Sequence, residues 1–153
     1  MSLMLIPYDQ ECLDLSWFWL NDAELRELTL TPKFTREDQK KFFASLLCRT
    51  DYRAWGVRLE NSEIIGAAGL KNHRASVAEY WGYIGEKKYW GKGLGQLMVA
   101  AVESMAHKYG FTELDLKVGV DNERAISLYK KTGFVIDECG SNSEVLRMVK
   151  RGI

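Results

Sequence analysis

The sequence has no close pair of cysteines, no excess of one charge and no long apolar run. Its cysteines, Cys12, Cys48 and Cys139, are scattered and odd in number, so it encodes neither a disulfide framework nor a zinc knuckle. The 21 basic side chains equal the 21 acidic ones, which gives no overall attraction to nucleic acid or an anionic membrane. We therefore expect no metal, no nucleic-acid partner and no membrane partner.

The chain also lacks the segments that direct a protein out of the cytoplasm or divide it into domains. No apolar run approaches the roughly 20 residues of a membrane span, and the N-terminal residues do not have the pattern of a leader peptide. A cytoplasmic protein is expected. Without repeats, low-complexity segments or linkers, the 153 residues suit one domain that can bury its own core. We predict a single domain over residues 1–153.

The spacing of apolar residues predicts an alternation of helices and strands. Thr35 with Asp38 forms a capping box for one of the helices. Helices are expected at about 10–21, 22–28, 35–48, 93–109 and 123–132, and strands at 3–8, 53–59, 64–70, 77–85, 113–119, 134–138 and 144–149. An antiparallel block followed by one strand–helix–strand crossover predicts an α+β fold. Its central sheet would be mixed and mostly antiparallel, with about seven strands and helices on both faces.

A glycine-rich loop stands directly before the helix at 93–109. In "YWGKGLGQLM", Gly91, Gly93 and Gly95 occupy positions where glycine weakens a helix. A helix N-terminus presents free backbone N–H groups and partial positive charge, and glycine lets the backbone curl around an anion. Further positive charge comes from Lys87, Lys88 and Lys92. The pattern favours a phosphate-binding loop.

Three interpretations of this loop compete from the residues alone. A solvated turn is the less favoured interpretation, because three alternating glycines precede a strong helix. A dinucleotide-binding fold would want Gly-x-Gly-x-x-Gly and an acidic residue about 20 positions later. Asp115 lies 20 positions after Gly95, but inside its strand, and the glycine spacing differs. A P-loop is excluded because no Gly-Lys-Ser/Thr follows.

Together with the later segment "NERAISLYKKTGF", the segment "KKYWGKGLGQLM" resembles the acetyl-CoA-binding core of the GNAT superfamily of N-acetyltransferases. The family consensus, Gln/Arg-x-x-Gly-x-Gly/Ala, falls on residues 90–95, with Trp90 as the departure. Tryptophan at this position is similar to the branch of ribosomal-protein N-terminal and small-molecule acetyltransferases, the latter acting on amino sugars or polyamines. The resemblance is clear over residues 64–135, and it implies the acyl-CoA N-acyltransferase fold.

The resemblance implies acetyl-CoA as co-substrate, and no metal. It places the CoA pyrophosphate on the loop amides of Trp90, Gly91, Lys92, Gly93, Leu94 and Gly95. The pantetheine arm would pair like an extra strand with Tyr83, Ile84 and Gly85, since a free strand edge offers N–H and C=O groups. Asn122 would contact CoA as well as cap its helix, and Lys131 would reach a nucleotide phosphate.

Acetyl transfer requires a neutral amine, a stabilised oxyanion and a proton for the leaving thiolate. An alkyl ammonium group titrates near pH 10, so a base is needed, and Glu79 is the candidate; a surface carboxylate is the alternative. The resemblance assigns the proton donor to Tyr129, whose alternative is a core position. A strand N–H at Ile84 or Gly85 would hold the oxyanion. His73, in a turn, is expected to be solvated, with contact to the acceptor as the alternative.

The acceptor is expected to be a small-molecule amine such as a nucleotide-linked amino sugar. Alternatives are a peptide amine at a protein N-terminus and a polyamine. In "SWFWL", Trp17, Phe18 and Trp19 cannot all point inward on a helix, so one is exposed or lines a cleft, where it can serve as a platform for a sugar or base. A homodimer is compatible with the sequence. From other classes, a non-catalytic acyl-CoA-binding domain and a dinucleotide-binding domain stay open.

Overall fold

The computed structural model describes residues 2–153 and contains five α-helices and seven β-strands in that range. The helices are α1 (Gln10–Leu20), α2 (Ala23–Leu28), α3 (Arg36–Ser45), α4 (Leu94–Lys108) and α5 (Glu123–Lys131). The strands are β1 (Leu3–Pro7), β2 (Arg53–Leu59), β3 (Ile64–Arg74), β4 (Val77–Ile84), β5 (Glu113–Gly119), β6 (Val135–Asp137) and β7 (Val145–Arg151). Every helix and strand expected from the sequence is present.

The strands form one mixed sheet in the order β1-β2-β3-β4-β5-β7-β6. All neighbouring strands are antiparallel except β4 and β5, which are parallel. The predicted α+β class, with a mostly antiparallel sheet of about seven strands, is confirmed. The single parallel pair results from the crossover through α4, because a helix must return the chain to the same end of the sheet.

Helices cover both faces of this sheet. On one face the α4 residues Leu94, Met98 and Val102 pack on a large core that includes Ala78 and Tyr80 of β4. On the other face Cys12 and Trp19 of α1 pack with Leu25 of α2, near Tyr83 of β4. Alternate residues of a strand point to opposite faces, so β4 contributes side chains to both layers.

Two element boundaries differ from the expectation by three residues or more, for tertiary reasons. β3 continues past residue 70 to Arg74, because an irregularity after Lys71 lets it go on pairing with β4. α3 ends at Ser45 instead of 48, and Leu47 beyond it is 92% exposed. The sequence pattern does not show where a neighbouring element stops covering a helix.

The parallel pair between β4 and β5 is short. Only Val77–Glu79 pairs with Glu113–Asp115, although β4 runs on to Ile84 and β5 to Gly119. Beyond Glu79 the two strands diverge, and this edge of β4 has no strand partner. The divergence opens the middle of the sheet directly before the glycine-rich loop.

Candidate active site

A cavity of about 580 Å³ occupies the gap between β4 and β5. Its walls come from β4 and β5, from α3, from the segment between α2 and α3, and from α5. Glu79 and Tyr129 both line it, as do Tyr83 and Asn122. The structure therefore brings together the two residues expected to move protons, one from β4 and one from α5. The segment Leu28–Thr31, with Leu30 at φ +56°, lies at the cavity wall.

The free edge of β4 runs from Glu79 toward the glycine-rich loop. The Gly85 N–H donates to the Ile65 carbonyl oxygen at 2.7 Å, so Gly85 directs its backbone to β3. Because neighbouring residues direct their backbone groups to opposite edges of a strand, Gly82 and Ile84 face the gap. The Ile84 carbonyl already accepts a hydrogen bond from the Trp90 indole at 2.8 Å. This leaves the Ile84 N–H and both Gly82 backbone groups for an extended ligand.

The glycines of the loop serve two structural purposes. Gly91 and Gly93 have φ of +74° and +78°, the left-handed region that favours glycine, and no atom lies within 4 Å of the position of an added Cβ at either one. Gly95 lies in the first turn of α4, where a Cβ would come 2.8 Å from a methyl of Leu128 on α5. The first two glycines shape the loop, and the third lets two helices approach closely.

The first turn of α4 has the backbone features of an anion site. Gly93 caps the helix without a side-chain hydrogen bond, and the first turn contains no acidic residue. Its N–H groups and the helix dipole therefore face outward without a compensating carboxylate. Leu94 itself is buried in the core, so it contributes a backbone group only.

The positive charge around the loop is smaller than the count of lysines indicates. Lys87 forms ion pairs with Asp22 and Glu24 at 2.9 and 2.8 Å, and Lys88 with Glu63 at 3.1 Å. Sequence reasoning counted both as added positive charge and did not find these partners, which come from the start of α2 and from the turn between β2 and β3. Lys92 has no ion pair among residues 2–153.

Arg124 is a basic residue that sequence reasoning missed. Its guanidinium lies 5.9 Å from the centroid of the Trp90 ring, at the N-terminal end of α5. A second cation therefore flanks the loop, placed there by the aromatic ring that departs from the family consensus. Its position in "NERAIS", one residue after the first helical position, was the available signal.

Trp90 and Gly85 hold the loop against the N-terminal helices. Trp90 packs beside the α1 and α2 cluster and donates its indole N–H to β4. A Cβ on Gly85 would lie 2.1 Å from the Trp19 ring, so that ring rests directly on the Gly85 backbone. The Trp19 indole N–H in turn donates to Glu86 at 3.1 Å. These contacts join the glycine-rich loop and the end of β4 to α1.

Glu79 is 6% exposed and has two polar partners. Its Oε1 accepts a hydrogen bond from the Asn72 side chain at 3.0 Å, and its Oε2 lies 3.6 Å from the Lys71 ammonium. The carboxylate is therefore not the surface group that the alternative interpretation assumed. Lys71 and Asn72 were missed by sequence reasoning, because the pattern placed them in a turn instead of the extended end of β3.

Tyr129 projects from α5 into the same cavity. Its ring lies 6.0 Å from Tyr80 and 5.8 Å from Phe134, both in edge-to-face arrangements. Burial raises the pKa of Tyr129 to about 12, which keeps its hydroxyl protonated at neutral pH. No group in residues 2–153 hydrogen-bonds to that hydroxyl. The side chain thus belongs to the core and the cavity at once.

The remaining predicted cofactor residues lie around α5. Asn122 caps the helix by accepting from the Ala125 N–H at 3.3 Å, and its amide reaches the Leu28 carbonyl at 3.5 Å. Lys131 is exposed in the last turn of α5. Lys131 therefore stands at the opposite end of α5 from Asn122 and Arg124.

Three hydroxyl groups form a chain along the cavity wall. The Tyr8 and Ser16 hydroxyls lie 2.8 Å apart, and the Tyr83 hydroxyl donates to Ser16 at 3.1 Å. Burial raises the pKa of Tyr8 to about 12 and that of Tyr83 further, so both stay protonated. Tyr8, Ser16 and Tyr83 have three hydroxyl protons between them, and the two hydrogen bonds use two of these. One hydroxyl proton is left to donate to another oxygen.

Asp115 and His73 do not line the cavity, and both have partners outside it. Asp115 is 5% exposed, and its Oδ2 accepts from Arg74 at 2.7 Å and from Arg147 at 2.8 Å. An acid held by two arginines is not free for a ribose, so the dinucleotide hypothesis loses its acidic residue. The His73 ring packs on Phe111 at 4.8 Å with Nδ1 at 2.9 Å from the Thr50 carbonyl oxygen, and it does not line the cavity.

The aromatic triplet of α1 does not line the cavity either. Phe18 is 70% exposed, as the helical geometry required, but the buried member is Trp19 and not Trp17. Trp17 lies against Phe34 at 5.6 Å and under the Arg36 guanidinium at 4.5 Å. The Arg36 guanidinium therefore occupies a face of the Trp17 ring.

The helices found in residues 2–153 are all too short or too polar to cross a bilayer. Within the same residues, no three histidine, cysteine, aspartate or glutamate side chains gather in a way that suits a metal ion.

Comparisons with known proteins agree with this geometry. The model of the Acetyltransferase (GNAT) family matches residues 16–134. The chain is 26% identical over 145 residues to the uncharacterized N-acetyltransferase YycN of Bacillus subtilis (strain 168), covering 88% of this chain and 93% of that protein.

Two solved structures share the fold at low sequence identity. Spermidine N-acetyltransferase from Vibrio cholerae, in complex with CoA and spermine, has a TM-score of 0.88 at 19% identity, covering 99% of this chain and 96% of that chain. AAC(6')-Ib, in complex with ribostamycin and coenzyme A, has a TM-score of 0.82 at 22% identity, covering 99% and 94%.

Proposed function

Because the chain belongs to the GNAT family of acetyltransferases, we propose that it transfers an acetyl group from acetyl-CoA directly to a small primary amine. One observation carries the proposal: a single cavity at the divergence of β4 and β5 is lined by both Glu79 and Tyr129. The free edge of β4 leads from that cavity to the glycine-rich loop. An extended cofactor lying along this edge would have its anionic part on the loop and its thioester in the cavity.

The loop and the β4 edge would hold acetyl-CoA without a metal. The N–H groups at residues 90–95 would bind the pyrophosphate, with Lys92 and Arg124 as flanking cations. The Gly82 and Ile84 backbone would pair with the amides of the pantetheine arm, while Tyr83 contributes its side chain to the opposite face. The Gly85 N–H donates to β3 and is not free for the cofactor. Gly85 would instead act through its lack of a side chain, which lets the Trp19 ring pack on its backbone. Asn122 and Lys131 stay candidates for further contacts.

The reaction needs three proton transfers. Glu79, directly or through a water, would take a proton from the ammonium group, and the neutral nitrogen would attack the thioester carbonyl carbon. The Ile84 N–H would stabilise the resulting oxyanion. On collapse the C–S bond breaks and Tyr129 would give its proton to the leaving thiolate. The attached nitrogen would then release its second proton to the Tyr129 phenolate, which restores the tyrosine. The products are an amide and the free CoA thiol.

The structural neighbours support a small amine as acceptor, since one complex contains spermine and the other ribostamycin. No comparison supports a nucleotide-linked amino sugar, and the aromatic triplet that suggested one does not line the cavity. A peptide amine remains the alternative. A homodimer remains a prediction.

The test is release of free thiol from acetyl-CoA in the presence of primary amines, with CoA and NAD compared in thermal-shift measurements. CoA is expected to stabilise the protein and NAD is not. Tyr129→Phe is expected to lower kcat at least 10²-fold while the CoA-induced shift is kept. Stabilisation by CoA with no thiol release for any amine would indicate the non-catalytic alternative.

Glu79→Gln separates the base from a structural carboxylate. Near pH 7 the variant is expected to lose most of its activity, because the amine must shed its proton without help. At pH 10 an alkyl amine is about half neutral in water, so the variant should approach the wild-type rate. Equal loss at both pH values would refute the role of Glu79 as base.

A further inference from the structure

The charges that line the cavity are balanced, which bears on the kind of amine it accepts. They are two carboxylates, Asp38 and Glu79, and two lysines, Lys71 and Lys117. A site for a cation with several charges would need carboxylates in excess, since each ammonium group that leaves water requires a partner. This cavity has no excess of negative charge.

Neither carboxylate is free of partners. Glu79 faces the Lys71 ammonium at 3.6 Å, and Asp38 accepts the Thr35 N–H at 2.9 Å in the capping box of α3. An amine held by Glu79 therefore lies next to a fixed positive charge. Lys71 disfavours a second ammonium group in the same molecule and favours the neutral form of the reacting nitrogen.

The wall beyond Glu79 is aromatic. Trp81 lies two residues further along β4 on the same face, and its ring is 5.9 Å from Tyr52, which is 5.2 Å from Phe42. Phe34 also lines the cavity. Aromatic rings prefer to pack against one another at such separations. The row Trp81–Tyr52–Phe42 thus offers a surface for a ring attached to the reacting amine.

We propose that the acceptor is a primary amine with a single positive charge on an aromatic body, an arylalkylamine. The amine nitrogen lies at Glu79 and the ring against the row Trp81–Tyr52–Phe42. The inference rests on the proposed acetyl transfer. The proposed acceptor differs from the spermine and ribostamycin of the neighbouring structures, because it follows from Lys71 and the aromatic row of this chain's own cavity.

The experiment compares kcat/KM for matched amines in the thiol-release assay. Phenethylamine against butylamine isolates the ring, and pentylamine against 1,5-diaminopentane isolates the second charge. We expect phenethylamine to exceed butylamine at least tenfold and pentylamine to exceed the diamine at least tenfold. Equal or better turnover of 1,5-diaminopentane or spermidine would overturn the proposal. No thiol release with any amine is a different result, which would refute the proposed function itself.

Variants of Lys71 test the charge directly. Lys71→Gln is expected to lower the ratio of kcat/KM for pentylamine to kcat/KM for 1,5-diaminopentane at least threefold. Lys71→Arg keeps the charge and is expected to preserve this ratio. An unchanged ratio in Lys71→Gln would contradict the electrostatic argument. Trp81→Leu is expected to lower kcat/KM for phenethylamine more than for butylamine; an equal loss for both would contradict the placement of the ring.

Discussion

Replacing Gly93 by alanine is expected to destabilise the folded protein by about 1 kcal/mol and to weaken CoA binding. Gly93 has φ +78° and no atom within 4 Å of the position of a Cβ, so the cost is conformational and not steric. An L-residue in this region costs roughly 1–2 kcal/mol. Alanine recovers roughly 0.4–1 kcal/mol by restricting the unfolded chain. The difference is about 1 kcal/mol.

The same strain acts on the ligand, because relaxing it would turn the loop N–H groups away from an anion. CoA at 100 times its Kd raises the stability of the wild-type protein by about 2.7 kcal/mol. If the alanine variant binds tenfold more weakly, the same CoA concentration provides about 1.4 kcal/mol. With roughly 2–4 °C per kcal/mol for a chain of this size, the CoA-induced Tm shift should fall by about 3–5 °C.

Two variants make the measurement decisive. Gly93→Asn is expected to cost less than Gly93→Ala, because asparagine tolerates left-handed backbone and the site has room for its side chain. Gly110, at the other end of α4, has φ +88° and equal space. Gly110→Ala should therefore lose similar stability and keep the full CoA-induced shift. Equal costs for alanine and asparagine at Gly93, or an unchanged CoA shift, would refute the argument.

Three further substitutions and conditions have expected outcomes. Gly85→Ala should lower Tm by several degrees in thermal unfolding, because its Cβ would lie 2.1 Å from the rigid Trp19 ring; an unchanged Tm would contradict this. Asp115→Asn should lower the free energy of unfolding in urea by about 2 kcal/mol, less than for a fully buried pair because Arg74 and Arg147 are partly exposed. The kcat per folded molecule should be unchanged; a lost kcat would assign Asp115 to the site. The pKa values of Tyr8 and Tyr129 are raised to about 12, so stability present below pH 10 is lost as pH rises from 10 to 12. At pH 11 the loss is about 1.4 kcal/mol per tyrosine, and Tyr129→Phe should show a correspondingly smaller loss in urea titrations at pH 9 and 11.

The local signals in the sequence predicted the elements well because they depend on nearby residues. The capping box of Thr35 and Asp38 is present, with both hydrogen bonds formed. Gly110 and Gly133 end their helices with positive φ. The order of elements and the two motifs sufficed to predict the fold and the family.

Predictions that depended on distant partners were less reliable. Lys87 and Lys88 were expected to add positive charge at the loop, and their ion pairs with Asp22, Glu24 and Glu63 could not be predicted. The surroundings of Glu79 could not be predicted either, because Lys71 reaches it through the direct pairing of β3 with β4.

What the sequence alone determined is the part of the protein encoded by short-range pattern: the seven strands and five helices, the glycine loop before α4, and the residue types for acetyl transfer. Only the tertiary structure decided what those residues face. It separated β4 from β5 after Glu79, placed Tyr129 in the same cavity, and surrounded that cavity with balanced charges and aromatic rings. The reason is physical: helix and strand propensities act over a few residues, whereas a cavity is formed by side chains from distant segments that meet only when the sheet assembles.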